Sequence, residues 1–145
     1  MNKLSARALL FILSLAAVPA FAIDRVVSIT APAETRPGVP VHVSVMASTD
    51  AIDGEQIGFL HAQYSIDGGK TWVGICFEEK AGPILERGVD FTAGDAGTKI
   101  LVRVRAAFRG GKAGDVDYKG GTIKWDESWG NFRAPAGKFA IIYVR

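Results

Sequence analysis

The chain has 145 residues, 48% of them hydrophobic and 22% charged, with 17 Lys and Arg against 15 Asp and Glu. This size suits one domain around one core, and the near balance of charge gives no support to a nucleic-acid or anionic-membrane binder. The single cysteine, Cys76, excludes an internal disulfide, so stability has to come from packing.

The chain opens with Lys3 and Arg7, continues through an apolar run from Ala8 to Val18, and reaches Pro19, Ala20, Phe21 and Ala22. That order predicts a secretory signal peptide over residues 1–22, cleaved after Ala22, which implies a periplasmic or extracellular protein. The run falls short of the roughly 20 residues of a bilayer-spanning helix, so the mature protein is expected not to span a membrane. The predicted mature domain, residues 23–145, holds 15 Lys and Arg and 15 Asp and Glu.

Period-two alternation, broken by Gly and Pro, then recurs and predicts half-buried strands. Val27, Ile29 and Ala31 share one face of a first strand. After the turn at Arg36, Pro37 and Gly38, Val41, Val43 and Val45 line one face of a second, with His42, Ser44 and Met46 opposite. A polar loop is expected from Ser48 to Gln56. The next strand is predicted to place Leu60, Ala62, Tyr64 and Ile66 inward and Phe59, His61, Gln63 and Ser65 outward.

Asp67, Gly68 and Gly69 predict a hairpin returning from Thr71 to Glu78. Continued without interruption, its register sets Ile66 opposite Thr71, Tyr64 opposite Val73, Ala62 opposite Ile75 and Leu60 opposite Phe77, and brings His61 opposite Cys76. A short strand is expected around Arg87 to Phe91. The clearest alternation follows, with Ile100, Val102, Val104, Ala106 and Phe108 inward and Lys99, Leu101, Arg103, Arg105 and Ala107 outward. Arg109 to Gly121, with five glycines, reads as a long loop, and Thr122 to Trp125 and Lys138 to Val144 as two more strands. Seven or eight short strands and no amphipathic helix predict an all-β, antiparallel sandwich.

Ser65, Asp67, Gly69, Thr71 and Trp72 stand in the order S-x-D-x-G-x-T-W, which resembles the Asp-box hairpin of sialidase-like β-propellers. A propeller repeats its blade several times, and one copy here implies a folding device and no sialidase activity. The longer stretch Y-S-I-D-G-G-K-T-W, Tyr64 to Trp72, is similar to a hairpin in immunoglobulin-like domains of bacterial secreted proteins and in the dimerisation domain of sulfite-oxidase-type enzymes. That resemblance implies an immunoglobulin or fibronectin type sandwich with no chemistry of its own.

Enzyme motifs are absent: no G-x-S-x-G, H-E-x-x-H, phosphate loop or dinucleotide fingerprint occurs, and only two histidines are present. The expected function is a non-catalytic exported module, without a cofactor, that binds another protein in the cell envelope. An alternative is a carbohydrate-binding module in which Trp125, Trp129, Phe132 and Tyr118 stack on sugar rings while Asp126, Glu127 and Asn131 take the hydroxyls. A further alternative is a small thiol or metal protein built on His61 and Cys76, since imidazole lowers a neighbouring thiol's pKa and both are good ligands. Asp115 and Asp117, with Asp126 and Glu127, supply carboxylates but match no calcium loop.

Overall fold

The computed structural model describes residues 24–79, 82–110 and 133–145, and these form an immunoglobulin-type β-sandwich. Its strands are β1 (Arg25–Thr30), β2 (Glu34–Thr35), β3 (Pro40–Thr49), β4 (Glu55–Ser65), β5 (Val73–Glu79), β6 (Ile84–Thr92), β7 (Lys99–Gly110) and β8 (Arg133–Val144). One sheet has the order β1-β3-β6 and the other β2-β8-β7-β4-β5. All neighbours are antiparallel except β2 and β8, whose short parallel pairing sets Glu34 opposite Tyr143. No helix among the described residues is long and apolar enough to cross a membrane. The predicted leader, the strand Thr122 to Trp125 and nearly all of the glycine-rich loop lie outside the described residues.

The alternating positions of β3 and β7 meet between the sheets. Val41, Val43, Val45 and Ala47 of β3 and Ile100, Val102, Val104, Ala106 and Phe108 of β7 are buried together with Val27, Leu60, Ala62 and Ile142. Ile57 joins them because Gly58 is an extra residue in the β4 ladder: Ile57 pairs with Phe108 and Phe59 with Ala107. A bulge of this kind shifts the alternation by one, so Ile57 and Leu60 both point inward. On the β5–β6 side, Tyr64 stacks on Phe91 with ring centroids 4.3 Å apart. The Arg87 guanidinium meets Glu78 at 2.9 Å and ties the two sheet edges.

The polar loop expected from Ser48 to Gln56 is shorter than predicted. Thr49 ends β3, Glu55 begins β4, and the Glu55 side chain is fully buried. Arg25 grips it with two contacts, Nε to Oε1 at 2.7 Å and Nη2 to Oε2 at 2.8 Å, and Thr49 Oγ1 donates to Oε1 at 2.7 Å. The three side chains pin the starts of β1 and β4 to the end of β3.

The β4–β5 register departs from the uninterrupted one. Tyr64 pairs with Val73 as expected, but Ile75 is an extra residue, so Ala62 meets Cys76, His61 meets Phe77 and Leu60 meets Glu78. Ile75 and Cys76 both pack against the core, and Phe77, expected inside, turns to the outer face and is 52% exposed. Ile66, also expected inside, lies beyond the end of β4 and is exposed.

Candidate binding face

The outer face of the five-stranded sheet carries the densest chemistry among the described residues. Cross-strand register places Phe77, His61 and Arg105 in one row, Gln63, Arg103 and Phe139 in the next, then Leu101 with Ile141 and Lys99 with Tyr143. Residues two apart on a strand share a face, so Phe139, Ile141 and Tyr143 form one column along β8. All three are exposed, Phe139 at 56%.

Part of this face is closed. Phe59, Arg105 and Ala107, expected outward, do lie away from the shared core, yet Phe59 is 1% and Arg105 2% exposed. Alternation assigns a side chain to a face of the sheet, and burial depends on what lies over that face.

Arg105 directs Nε and Nη2 to Nδ1 of His61, at 3.1 and 2.9 Å. A guanidinium only donates, so Nδ1 accepts and the ring proton sits on Nε2. Burial, followed by the charges of Arg105 and Arg103, pulls His61 down to about 4, and the imidazole is neutral at pH 7. Phe77 meets it edge to face, with centroids 5.2 Å apart. One row along, Arg103 donates to Gln63 Oε1 and lays its guanidinium 3.7 Å from the centre of the Trp72 ring. Trp72 thus has one face covered by a cation, and the amide oxygen of Gln63 is engaged.

The hairpin below this face is assembled by the residues its motif names. Asp67 Oδ1 accepts from Ser65 Oγ at 2.7 Å, Lys70 N at 3.0 Å and Thr71 N at 2.9 Å, and Oδ2 accepts from Thr71 Oγ1 at 2.6 Å. Ser65 Oγ also receives the Gly69 N–H at 2.8 Å, although Ser65 was expected outside and is fully buried. Gly68 and Gly69 take φ of 75° and 93°, which explains glycine at both positions. The donors converging on Asp67, led by the Thr71 hydroxyl, hold its carboxyl far below the ordinary carboxylate range.

The extra residue Ile75 separates the expected thiol–imidazole pair. His61 stands on the outer face, whereas Cys76 packs against the core with Sγ 4.0 Å from the Leu60 carbonyl oxygen. Burial, then the Glu78 charge, pushes the thiol up to about 11, so it is protonated at neutral pH. Alkylation at pH 8 should therefore run about two orders of magnitude slower than for an ordinary exposed cysteine, whose pKa is about 8.5. Labelling at the ordinary rate, slowed by His61→Ala, would restore the pair. Among the described residues no group of three or more His, Cys, Asp and Glu is placed to hold a metal ion.

The proposed sugar platform of Tyr118, Trp125, Trp129, Phe132, Asp126 and Asn131 lies outside the described residues, as do Asp115, Asp117 and Glu127. Sequence reasoning missed the β8 column. Its signal is present: from Phe139 to Val144 both alternating sets are apolar, Phe139, Ile141 and Tyr143 on one and Ala140, Ile142 and Val144 on the other. A strand with two apolar faces has one to bury in its own core and one to offer elsewhere.

No known protein family and no curated protein matches this sequence. Among solved structures, the chain is similar to a superoxide reductase (neelaredoxin) from Ignicoccus hospitalis, with TM-score 0.44 and 11% identity over 83% of this chain and 82% of that one. It is also similar to the complex of zinc 2-glycoprotein and prolactin inducible protein from human seminal plasma, with TM-score 0.41 and 12% identity over 86% of this chain and 95% of that one. The sporulation control protein Spo0M from Bacillus subtilis gives TM-score 0.36 and 14% identity over 85% of this chain, which spans 48% of the longer Spo0M chain. None of the three bears on activity.

Proposed function

We propose that the protein is a non-catalytic exported module that binds another protein in the cell envelope through the outer face of β8, β7, β4 and β5. The observation that carries this reading is the exposed column of Phe139, Ile141 and Tyr143, continued across the sheet by Arg103, Trp72 and Phe77. Aromatic, aliphatic and arginine side chains are the groups that dominate protein interfaces.

A sugar would use this surface poorly. Phe77 and Phe139 have no hydrogen-bonding group, Arg103 occupies one face of Trp72, and Gln63 already accepts from Arg103. Export is supported by the order of charged, apolar and small residues at the start of the chain. The lack of enzyme motifs and the engagement of His61 with Arg105 support a role without catalysis.

The test is capture of partners from the native envelope with tagged protein. Phe139→Asp and Tyr143→Asp should each weaken retention by about 30-fold or more, the effect of losing a hot-spot contact of about 2 kcal/mol. A control, His42→Ala on the other sheet, should retain the partner. Undiminished capture by both face variants, at unchanged melting temperature, would overturn the reading, and a captured polysaccharide would replace it with the glycan alternative.

A further inference from the structure

Strand β8 is paired along one side and almost bare on the other. β7 runs beside it from Tyr143 back to Ala136 without a register shift, whereas β2 covers only Tyr143 and Val144. Every second residue of such a strand turns its N–H and C=O to the same side. The Val144 N–H goes to the Thr98 carbonyl, on the β7 side, while the N–H groups of Tyr143 and Arg145 go to the carbonyls of Ala33 and Thr35 on the other. Phe139 and Ile141 keep step with Tyr143, so their backbone groups point away from β7, and no strand among the described residues meets them.

An unpaired strand edge is a template for another strand, and most edges carry features that block it. Here β5 has the slip at Ile75 and the Glu78–Arg87 pair, β6 carries Glu86, Arg87 and Asp90, and β1 has no exposed large hydrophobic side chain. The open stretch of β8, Gly137 to Ile141, has no bulge and a single charge, Lys138. Its open backbone groups belong to Phe139 and Ile141, the residues whose side chains stand exposed on the outer face. One extended chain would satisfy the edge and cover part of the column together.

Lys138 bears on which chain that is. It alternates with Ala140 and Ile142 toward the inner side, yet it is exposed at the margin and has no ion pair among the described residues. Two β8 edges paired antiparallel about Phe139 would make the two lysines diagonal neighbours, and like charges disfavour that. A partner strand with a carboxylate opposite Lys138 meets an opposite charge instead.

We propose that the partner protein adds an antiparallel strand to the free edge of β8 from Gly137 to Ile141, exchanging backbone hydrogen bonds with Phe139 and Ile141, setting apolar side chains beside theirs and a carboxylate opposite Lys138. This rests on the reading of the β8 face as the partner surface and deepens it: the face supplies side-chain contacts and the edge supplies backbone ones. Antiparallel pairing is the slightly more stable of the two directions.

The test is nuclear magnetic resonance titration and amide exchange on the full chain with acetyl-Val-Thr-Val-Glu-Val-amide, whose residues fall opposite Ile141 to Gly137 in that order. Without peptide, the amides of Phe139 and Ile141 should exchange at least about tenfold faster than those of Ala140 and Ile142, and saturating peptide should slow them about tenfold or more. Methylating the nitrogen of the central Val, which donates to the Phe139 carbonyl, should weaken binding about tenfold or more, because it removes the donor and sets a methyl against β8. Methylating the Thr nitrogen, which points away from β8, should leave affinity within about threefold, and acetyl-Val-Thr-Val-Lys-Val-amide should bind several-fold more weakly than the parent. Equal binding of the two methylated peptides, equal binding of the Glu and Lys peptides, or no binding of the parent at about 5 mM would overturn the proposal. So would slow exchange at Phe139 and Ile141 without peptide, or exchange there that slows as the protein is concentrated, which would give the edge to a second copy. If any of these occurs while Phe139→Asp still abolishes capture, the edge assignment alone falls. If capture also survives, the face reading falls with it.

Discussion

Glu55→Ala should destabilise the protein by about 3–5 kcal/mol, the usual cost of removing one partner from a buried ion pair, and lower its melting temperature by roughly 10 °C or more. The Glu55 carboxylate is fully buried and receives two donors from Arg25 and one from Thr49. Its loss opens a cavity, strands the Thr49 hydroxyl beside it, and removes the buried partner of the part-exposed Arg25 guanidinium. Arg25→Ala should be comparably harmful, because it takes from a buried carboxylate the guanidinium that reaches both of its oxygens. The double variant should cost less than the two single losses added together, since the groups act as one unit. Replacing the pair by apolar residues, Arg25→Met with Glu55→Leu, should recover most of the loss, because a buried pair gains little over well-packed hydrocarbon. Thermal and urea unfolding check all four variants; a Glu55→Ala loss below about 1 kcal/mol would show that the network adds little.

Phe108→Ala should cost a similar amount, about 3–5 kcal/mol, by a different cause. Phe108 is fully buried near the end of β7, opposite Ile57 and within the shared core. Truncation removes the ring's transfer free energy and leaves a cavity that the two sheets cannot close, because both are held by their ladders. In urea the unfolding midpoint should fall by roughly 2 M at an unchanged slope. Phe77→Ala and Phe139→Ala provide the contrast. Both rings are more than half exposed, so each change should cost under about 1 kcal/mol. Equal losses at all three positions would contradict the assignment of inner and outer faces.

These variants separate what is legible in a string of residues from what is not. Phe108 is readable because β7 alternates without interruption from Ile100 to Phe108 and a strand turns each successive side chain to the opposite face. The Asp67 hairpin is readable for a related reason. Its donors lie within four residues of the carboxylate, so local geometry suffices. Glu55 gives no such signal. Its cation stands 30 residues away on β1, and a glutamate between Gly54 and Gln56 looks like loop.

The pairing of His61 with Cys76 fails on one residue. Ile75 enters the β5 ladder as an extra residue, and from Cys76 onward the strand is turned over relative to an unbroken hairpin. Bulges are decided by how the strand fits its neighbour and the core, and the spacing of apolar residues does not reveal them. The closed part of the outer face is hidden for the same kind of reason. Arg105 and Phe59 alternate like exposed residues and are buried nonetheless.

By itself the chain determined most of the described strands, the faces of β1, β3 and β7, and the hairpin that folds on its own carboxylate, because each follows from contacts between residues near in sequence; the two-residue β2 and the start of β4 at Glu55 were not legible there. The tertiary structure alone decided the Arg25–Glu55 pair, the slip at Ile75 and the exposure of the β8 column. Those depend on which distant strands lie side by side, and long-range pairing energies are written in no local period.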